Sequence, residues 1–286
     1  MLCKPWGRVD PRPWFAGGTG RQRIGEAWLR RPTEAAAEPA LLFKLLFTDA
    51  PLSIQVHPGD DYARSIGLPH GKTEGWYVLD AAPGAKVALG LKQPMDAAAL
   101  RQAIASGAIA DLADWRDVHP GDVVFVPAGT IHAIGAGLVI AEIQQNSDVT
   151  FRLFDYGRNR ELHIDAAVSV ARAGPAAAQP VSRSLPVSRS WPDARWLLMA
   201  CRYFILERID LPACSQWDIH ATSETWILAL SGGARVNAID LIKGSGIFME
   251  ADRAAIKVGP EGIRCLVAYA GHKVKRNLIC PMGVWS

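Results

Sequence analysis

The sequence predicts a mainly β protein with two barrel-like units, and three observations lead to this prediction. Glycine and proline recur about every ten residues, and short apolar runs lie between them. One alanine-rich stretch, residues 93–115, instead shows apolar residues at helical spacing. A stretch rich in Pro, Ser and Ala separates two series of strand-like runs. We therefore expect a first unit over 1–170, a linker over 171–194 and a second unit over 195–286.

The strand-like runs are short and often alternate apolar with polar residues, as half-buried strands do. In the first unit they cover residues 41–47, 52–57, 75–81, 122–128 and 137–145. In the second unit they cover residues 202–211, 224–232, 234–241, 254–259 and 263–270.

The alanine-rich stretch 93–115 is predicted to be a helical insertion between strands. Leu100, Ile104 and Ala108 recur at the spacing that places side chains on one helix face. Asp96 is a suitable N-cap, and Gly107 is expected to break the helix.

Composition excludes several classes of protein. Hydrophobic residues make up 49% and charged residues 21% of the 286, which is ordinary for a globular protein. The net charge of +3 is too small to indicate nucleic acid or an anionic membrane as a partner. Five scattered cysteines, without C-x-x-C spacing, favour reduced thiols, and from the sequence we expect neither a secretory signal nor a membrane-spanning stretch. We therefore expect a cytoplasmic protein, and the composition indicates no protein partner.

The stretch GDVVFVPAGTIHAIG (121–135) contains the most specific spacing in the chain. Gly121, Pro127, Gly129 and His132 follow the pattern G-x5-P-x-G-x2-H. This pattern resembles the second motif of the cupin superfamily, whose histidine binds a metal ion. The resemblance implies that both units are cupin-like jelly-roll barrels.

A second candidate metal-binding segment is the strand LSIQVH (52–57), which ends at a Pro-Gly-Asp turn. Cupins take two ligands from one strand, and here Gln55 and His57 share a face, with Cα atoms roughly 7 Å apart. Glu74 supplies a carboxylate on a later strand, with Lys72 on the same face. Taken singly, each histidine is more often an ordinary core or surface residue than a ligand. Together with His132, these side chains form a thiolate-free set that suits Zn²⁺ and tolerates Mn²⁺, Fe²⁺ or Co²⁺.

The chain also resembles a narrower family, the type I mannose-6-phosphate isomerases. The strings that match are LSIQVHP, GKTEGWYVLDA, VPAGTIHAIG and EIQQNSDVTFRLFDYGR, and the match extends over residues 20–170. The resemblance implies one zinc ion held by Gln55, His57, Glu74 and His132. It also implies pocket residues that act on or bind a phosphosugar, namely Lys72, Glu142, Asp148 and Arg152.

The family's reaction interconverts mannose 6-phosphate and fructose 6-phosphate through an enediol or enediolate. In such a reaction a cation stabilises the developing oxyanion, and a carboxylate or imidazole moves the proton. Arg152 could add positive charge at the oxyanion. Lys72 and Arg158, with the Ser53 hydroxyl, could bind the phosphate. The proton carrier stays open between Glu142, Asp148 and a metal-bound water.

Two alternatives remain at this point. One is a cupin isomerase or epimerase for another phosphosugar, and the other is a non-catalytic, sugar-binding regulatory cupin. The alternative, purely structural interpretation of Arg152 is an ion pair with Asp155 at the surface. The second unit contains neither metal-binding motif, so we expect a barrel without a metal there.

Overall fold

The computed structural model describes residues 1–14, 22–32, 38–185, 187 and 193–282. The chain divides into two compact units, each composed of several segments. The first unit comprises Met1–Asp10, Thr19–Trp28 and Leu42–Gln179. The second comprises Pro11–Gly18, Leu29–Leu41 and Pro180–Ser286.

The strands of the first unit form two sheets, and most of them are short. They are β1 (Leu2–Arg8), β2 (Ile24–Trp28), β3 (Leu41–Thr48), β4 (Ile54–Val56), β5 (Glu74–Ala81), β6 (Lys86–Leu91), β7 (Ala113–Asp117), β8 (Val123–Val126), β9 (His132–Ile134), β10 (Leu138–Gln145) and β11 (Phe151–Phe154). One sheet has the order β1-β2-β3-β10-β5-β8, and the other has the order β11-β4-β9-β6-β7. Between them lies an apolar core that includes Trp76, Val78, Leu89 and Val126.

Among its described residues the first unit also has four helices: α1 (Asp60–Ser65), α2 (Ala97–Ser106), α3 (Ile109–Leu112) and α4 (Ile164–Val170). Helices α2 and α3 form the predicted insertion between β6 and β7. Asp96 caps α2 by accepting a hydrogen bond from the Ala99 N–H at 2.8 Å, and Gly107 ends it at φ 79°. The insertion ends earlier than predicted, because residues 113–115 pair with β6 as the start of β7.

The second unit is a single nine-stranded sheet that encloses an apolar interior. Its strands are β12 (Arg183–Ser184), β13 (Arg195–Ala200), β14 (Phe204–Leu211), β15 (Gln216–Ala221), β16 (Thr225–Val236), β17 (Ile239–Ile242), β18 (Gly246–Met249), β19 (Asp252–Ala270) and β20 (Ile279–Pro281). Trp217 and Tyr269 are fully buried in this interior. The fold is thus mainly β, as the sequence predicts.

The second unit differs from the prediction between the runs 254–259 and 263–270, where one strand was expected to end and another to begin. The runs 254–259 and 263–270 belong to one strand, β19, which continues through Pro260 and Gly262. The partner register breaks there, since Ala234 pairs with Val258 whereas Gly232 pairs with Ile263. A bulge therefore absorbs the glycine and proline that predicted a turn.

Residues 171–179, at the start of the predicted linker, belong to the first unit. The Arg172 N–H donates to Gly129 O at 2.8 Å, and the Leu91 N–H donates to Gly174 O at 2.9 Å. Positions 186 and 188–192 of the linker lie outside the described residues. None of the described helices has the length and apolarity needed to cross a membrane.

Candidate metal centre and cavity

Strand β4 lies at the middle of the candidate site. Gln55 pairs with His132 of β9 on one side and with Arg152 of β11 on the other. Since paired residues of neighbouring strands face the same way, these three side chains point to one side of the sheet. The alternation along β4 adds His57 to the same face.

The glycine-containing turn before β9 fixes the position of His132. Gly129 has φ 86°, which a side chain would strain, and a Cβ there would lie 3.0 Å from Val170 O. The Gly129 N–H donates to His57 O at 2.7 Å, and the Thr130 N–H donates to Pro127 O at 3.1 Å. The motif around His132 therefore also ties its turn to the residue after β4.

Three buried side chains converge inside the first unit. His57 Nε2 lies 3.4 Å from one Glu74 carboxylate oxygen, and His132 Nε2 lies 3.3 Å from the other. Exposure of the three residues is 1% for His57, 0% for Glu74 and 1% for His132. Ligand atoms bound at about 2.0–2.1 Å to one tetrahedral ion lie roughly 3.3–3.4 Å apart. Each histidine nitrogen lies at about this distance from a different oxygen of Glu74, and one potential ligand atom from each of the three residues lies within 4.8 Å of the other two. The cluster is therefore compact enough to hold a divalent metal.

Both imidazoles are held with Nε2, the atom that would bind a metal, directed toward Glu74. His57 Nδ1 lies 2.8 Å from Val149 O, and His132 Nδ1 lies 2.8 Å from Thr130 O. Such hydrogen bonds place the proton on Nδ1 and leave the Nε2 lone pair facing Glu74. Burial, followed by the charge of Lys72, lowers the pKa of His57 to about 3. Burial also lowers the pKa of His132, so both rings are neutral, as metal ligands must be.

The Glu74 carboxylate is the part of the cluster least satisfied by protein groups. Neither of its oxygens has a well-aligned hydrogen bond within the described part of the chain, although both are buried. Lys72 Nζ lies 3.1 Å from Glu74 Oε2 and 3.2 Å from His57 Nε2. Burial would raise the pKa of Glu74, but Lys72 and the histidines lower it overall. A buried anion without hydrogen bonds is costly, and a cation between these side chains would relieve that cost.

Gln55 completes the predicted set, in an orientation that a metal would reverse. Its Nε2 lies 3.3 Å from His132 Nε2 and 3.5 Å from His57 Nε2. Its Oε1 accepts a hydrogen bond from Ser53 Oγ at 3.1 Å. Rotating the amide by half a turn would direct its oxygen at the imidazoles and let its nitrogen donate to Ser53.

A cavity of about 230 Å³ adjoins this cluster, and its walls are mainly polar and charged. Every residue of its wall belongs to the first unit. The lining comprises Lys4, Trp6, Glu26, Lys44, Leu46, Leu52, Ser53, Gln55, Lys72, Ile134, Glu142, Asp148, Thr150, Arg152, Arg160 and His163.

Glu142 lies in the cavity wall beside a fully buried lysine. Its Oε2 is 2.8 Å from Lys44 Nζ, and its Oε1 accepts a hydrogen bond from Trp76 Nε1 at 3.0 Å. Burial and the charge of Glu74 raise the pKa of Glu142, against the effect of Lys44. Burial opposes the charge on Lys44, but Glu142 and Glu26 prevail and raise the pKa of the lysine. The predicted acid is thus held in a buried ion pair.

Arg152 lines the cavity without the ion pair that the surface interpretation requires. Its Nε is buried and has no hydrogen-bond partner among the described residues. Asp155 instead accepts hydrogen bonds from Arg158 and Arg160. Burial and the nearby charge of Arg160 lower the pKa of Arg152, which nevertheless keeps its charge at neutral pH. The Arg152 side chain is therefore available to an anion in the cavity.

The other predicted residues lie in different places. Ser53 and Lys72 are buried in the cavity wall, whereas Asp148 is exposed at the rim. Arg158 does not belong to the lining, because its guanidinium faces Asp155 and Pro51 O.

Sequence reasoning missed four cations or potential cations of the wall, namely Lys4, Lys44, Arg160 and His163. Lys44 had a visible signal, since it is a lone charge within the apolar run LLFKLLF. Arg160 and His163 follow β11 in an irregular segment, where spacing does not reveal which way a side chain points.

Comparison with known proteins gives a consistent result. No protein-family model matches the chain. It is 43% identical to the mannose-6-phosphate isomerase of Streptococcus mutans over 152 residues, which are 51% of this chain and 48% of that protein. It is 42% identical to the Bacillus subtilis mannose-6-phosphate isomerase ManA over 137 residues, 46% of this chain and 43% of that one. The chain is related to the mannose-6-phosphate isomerases. The aligned part spans about half the length of these curated isomerases.

Solved structures of the isomerases extend the likeness to most of the fold. The Bacillus subtilis mannose 6-phosphate isomerase superposes with a TM-score of 0.71 at 28% identity, covering 83% of this chain and 77% of that one. The apo form of the Salmonella typhimurium isomerase superposes with a TM-score of 0.60 at 19% identity, covering 81% of this chain and 79% of that one. The latter likeness concerns the fold alone.

Proposed function

We propose that this chain is a zinc-dependent isomerase that interconverts mannose 6-phosphate and fructose 6-phosphate through an enediol or enediolate. The observation that supports it most is the convergence of His57, Glu74 and His132 beside a cavity that also contains Lys72 and Arg152. The curated relatives, at 42–43% identity, carry the same activity in their names. We assign catalysis to the first unit, because every lining residue belongs to it.

The four residues that would hold the ion are Gln55, His57, Glu74 and His132. When bound, a divalent ion supplies Lewis acidity toward the carbonyl and hydroxyl oxygens of the sugar. A ligand set without sulfur that includes two imidazoles and a carboxylate suits Zn²⁺.

The remaining residues act on charge and protons. Arg152, whose buried Nε has no hydrogen-bond partner among the described residues, is placed to meet the negative charge that develops on the sugar oxygens. Glu142 and Asp148 are the candidate proton carriers at C1 and C2, with Glu142 held in place by Lys44 and Trp76. Lys72 and Ser53 lie where they can hydrogen-bond the substrate.

The free thiols support a reducing compartment. All five cysteines are unpaired, and Cys3 and Cys214 are exposed. Exposed thiols persist where disulfide formation is disfavoured, which is why we place the protein in the cytoplasm.

A coupled assay with mannose 6-phosphate tests the proposal directly. Activity should disappear after chelation and return with stoichiometric Zn²⁺, with elemental analysis giving one zinc per chain. Glucose 6-phosphate and other hexose phosphates serve as competing substrates in the same assay. Turnover that survives complete metal removal, or a clear preference for another hexose phosphate, would reject the assignment.

A further inference from the structure

The segment after β11 contains a buried carboxylate shared by two arginines. Asp155 Oδ1 accepts hydrogen bonds from Arg158 Nε at 3.1 Å and Arg158 Nη2 at 2.9 Å. Arg160 donates from Nε to Oδ2 at 2.7 Å and from Nη2 to Oδ1 at 2.6 Å. Asp155 is only 4% exposed. Burial would raise the pKa of Asp155, but the hydrogen bonds from Arg160 and Arg158 lower it overall. The carboxylate therefore remains charged and holds both guanidinium groups.

The two arginines differ in what else they reach. Arg158 Nη2 also donates to Pro51 O at 2.9 Å, and Arg158 is absent from the cavity wall. Arg160 belongs to the wall, together with Arg152 and His163. The bonds to Asp155 use Nε and Nη2 of Arg160 and leave Nη1 for a ligand. Asp155 thus presents one arginine to the cavity and holds the other against the backbone.

The cluster has more positive charge than its carboxylate can balance. Arg152, Arg158 and Arg160 contribute three positive charges against the single charge of Asp155, a difference of +2. Asp148 and Glu161 also act on Arg152, but both are exposed to solvent, which screens them. Arg152 Nε is buried without a partner in the described part of the chain. A phosphate monoester has a charge of about −2 at neutral pH and accepts several hydrogen bonds, which matches both features.

We propose that Arg160 binds the phosphate group of the substrate beside Arg152, and that Asp155 is the positioning residue that orients Arg160. The inference rests on the proposed function, because it assigns the phosphate end of the same cavity. It replaces Arg158 as the direct contact, since that guanidinium is turned toward Pro51 O. Arg158 then supports the carboxylate from behind.

Calorimetry with glucitol 6-phosphate isolates this interaction, because the probe has the phosphate but no carbonyl to isomerise. Arg160→Gln should weaken its binding by about tenfold or more, the scale of a lost charged hydrogen bond. Arg160→Lys should recover part of this loss. Arg158→Gln is the matched comparison, because it deletes a guanidinium bound to the same carboxylate, and its loss should be clearly smaller. Arg116→Gln removes an exposed charge outside the cavity wall and should change nothing.

Asp155→Asn tests positioning, since asparagine keeps the shape and loses the charge. It should raise KM for mannose 6-phosphate about as much as Arg160→Gln does, with kcat within roughly twofold of wild type. Thermal melting of each variant guards against unfolding as the cause. If Arg158→Gln weakens glucitol 6-phosphate binding as much as Arg160→Gln, or if Arg160→Gln leaves binding intact, the proposal is wrong.

The same data separate this proposal from the proposed function. A protein that binds glucitol 6-phosphate through Arg160 but leaves mannose 6-phosphate unchanged would overturn only the assigned reaction. An active isomerase whose Arg160→Gln variant keeps the wild-type KM would overturn only the phosphate assignment.

Discussion

Replacing Glu74 by glutamine is the sharpest test of the metal centre, because the substitution keeps the size of the side chain and removes its charge. Glu74 is the only carboxylate in the cluster with His57 and His132, and its side chain is 1% exposed. The wild-type protein should melt at a higher temperature with Zn²⁺ than after chelation, since a ligand that binds only the folded state stabilises it. Glu74→Gln should lose most of this difference.

The size of the effect follows from mass action. At a metal concentration about 1,000 times Kd, binding stabilises the folded state by about 4.1 kcal/mol. For units of this size, each kcal/mol shifts the melting temperature by about 2–4 °C, so the wild type should gain about 8–16 °C. If the substitution weakens binding about a thousandfold, the same metal concentration contributes only about 0.4 kcal/mol, or a shift of about 2 °C or less.

Differential scanning calorimetry on chelated protein, with and without added Zn²⁺, measures both shifts. Glu142→Gln is the matched control, because Glu142 is also buried but lies outside the ligand cluster, paired with Lys44. It should keep the full metal-dependent gain. A Glu74→Gln protein with the wild-type gain, or equal losses in the two variants, would refute the assigned metal centre.

Four further substitutions test other parts of the structure. Arg152→Ala should lower kcat about a hundredfold or more with a smaller change in KM and unchanged zinc content, and near-normal kcat would exclude its role at the oxyanion. Lys72→Ala should raise KM for mannose 6-phosphate about tenfold in steady-state assays, and an unchanged KM would remove it from the substrate site. Asp96→Ala deletes the N-cap of α2 and should cost about 1 kcal/mol in urea unfolding, whereas no loss would mean that the cap is unimportant. Trp217→Ala removes a large buried side chain from the second unit and should lower the free energy of unfolding by about 3–5 kcal/mol. A much smaller loss would mean that the surrounding side chains collapse into the space.

Much of the fold could be predicted because its strands are short and bounded by glycine or proline. The run 41–47 forms most of β3, a strand that lies between β2 and β10 and whose residues are all buried. Helix α2 begins and ends at Asp96 and Gly107, whose capping roles are local properties of the sequence. The continuous strand β19 could not be predicted in the same way. Gly262 adopts φ 74° within it, and β16 pairs with residues of β19 on both sides of that glycine.

The candidate site was easiest to predict where its residues lie on strands. Alternation on β4 was enough to put Gln55 and His57 on one face, and the structure brings His132 to that face through pairing. Sequence reasoning did not identify Arg160 as a residue of the cavity wall, because the segment after β11 has no periodicity that indicates where a side chain points. Lys44 in LLFKLLF is a signal that the sequence does contain, since a lysine buried in a central strand needs partners such as Glu142.

The interleaving of the two units along the chain has a consequence for biosynthesis. A ribosome that has reached residue 179 has supplied every segment of the first unit, but the pieces of the second unit that lie before residue 42 still lack their partners. In the folded protein the Ala40 and Leu41 N–H groups donate hydrogen bonds to the Glu224 carboxylate, and Lys243 Nζ lies over the Trp14 ring. Neither Glu224 nor Lys243 has been synthesised at that point. Synthesis from residue 179 to residue 243 takes roughly 3–13 s at about 5–20 residues per second. The early segments of the second unit therefore stay exposed on the nascent chain after the first unit has all of its residues. No single truncation point separates the two units, because segments of the second unit interrupt the first.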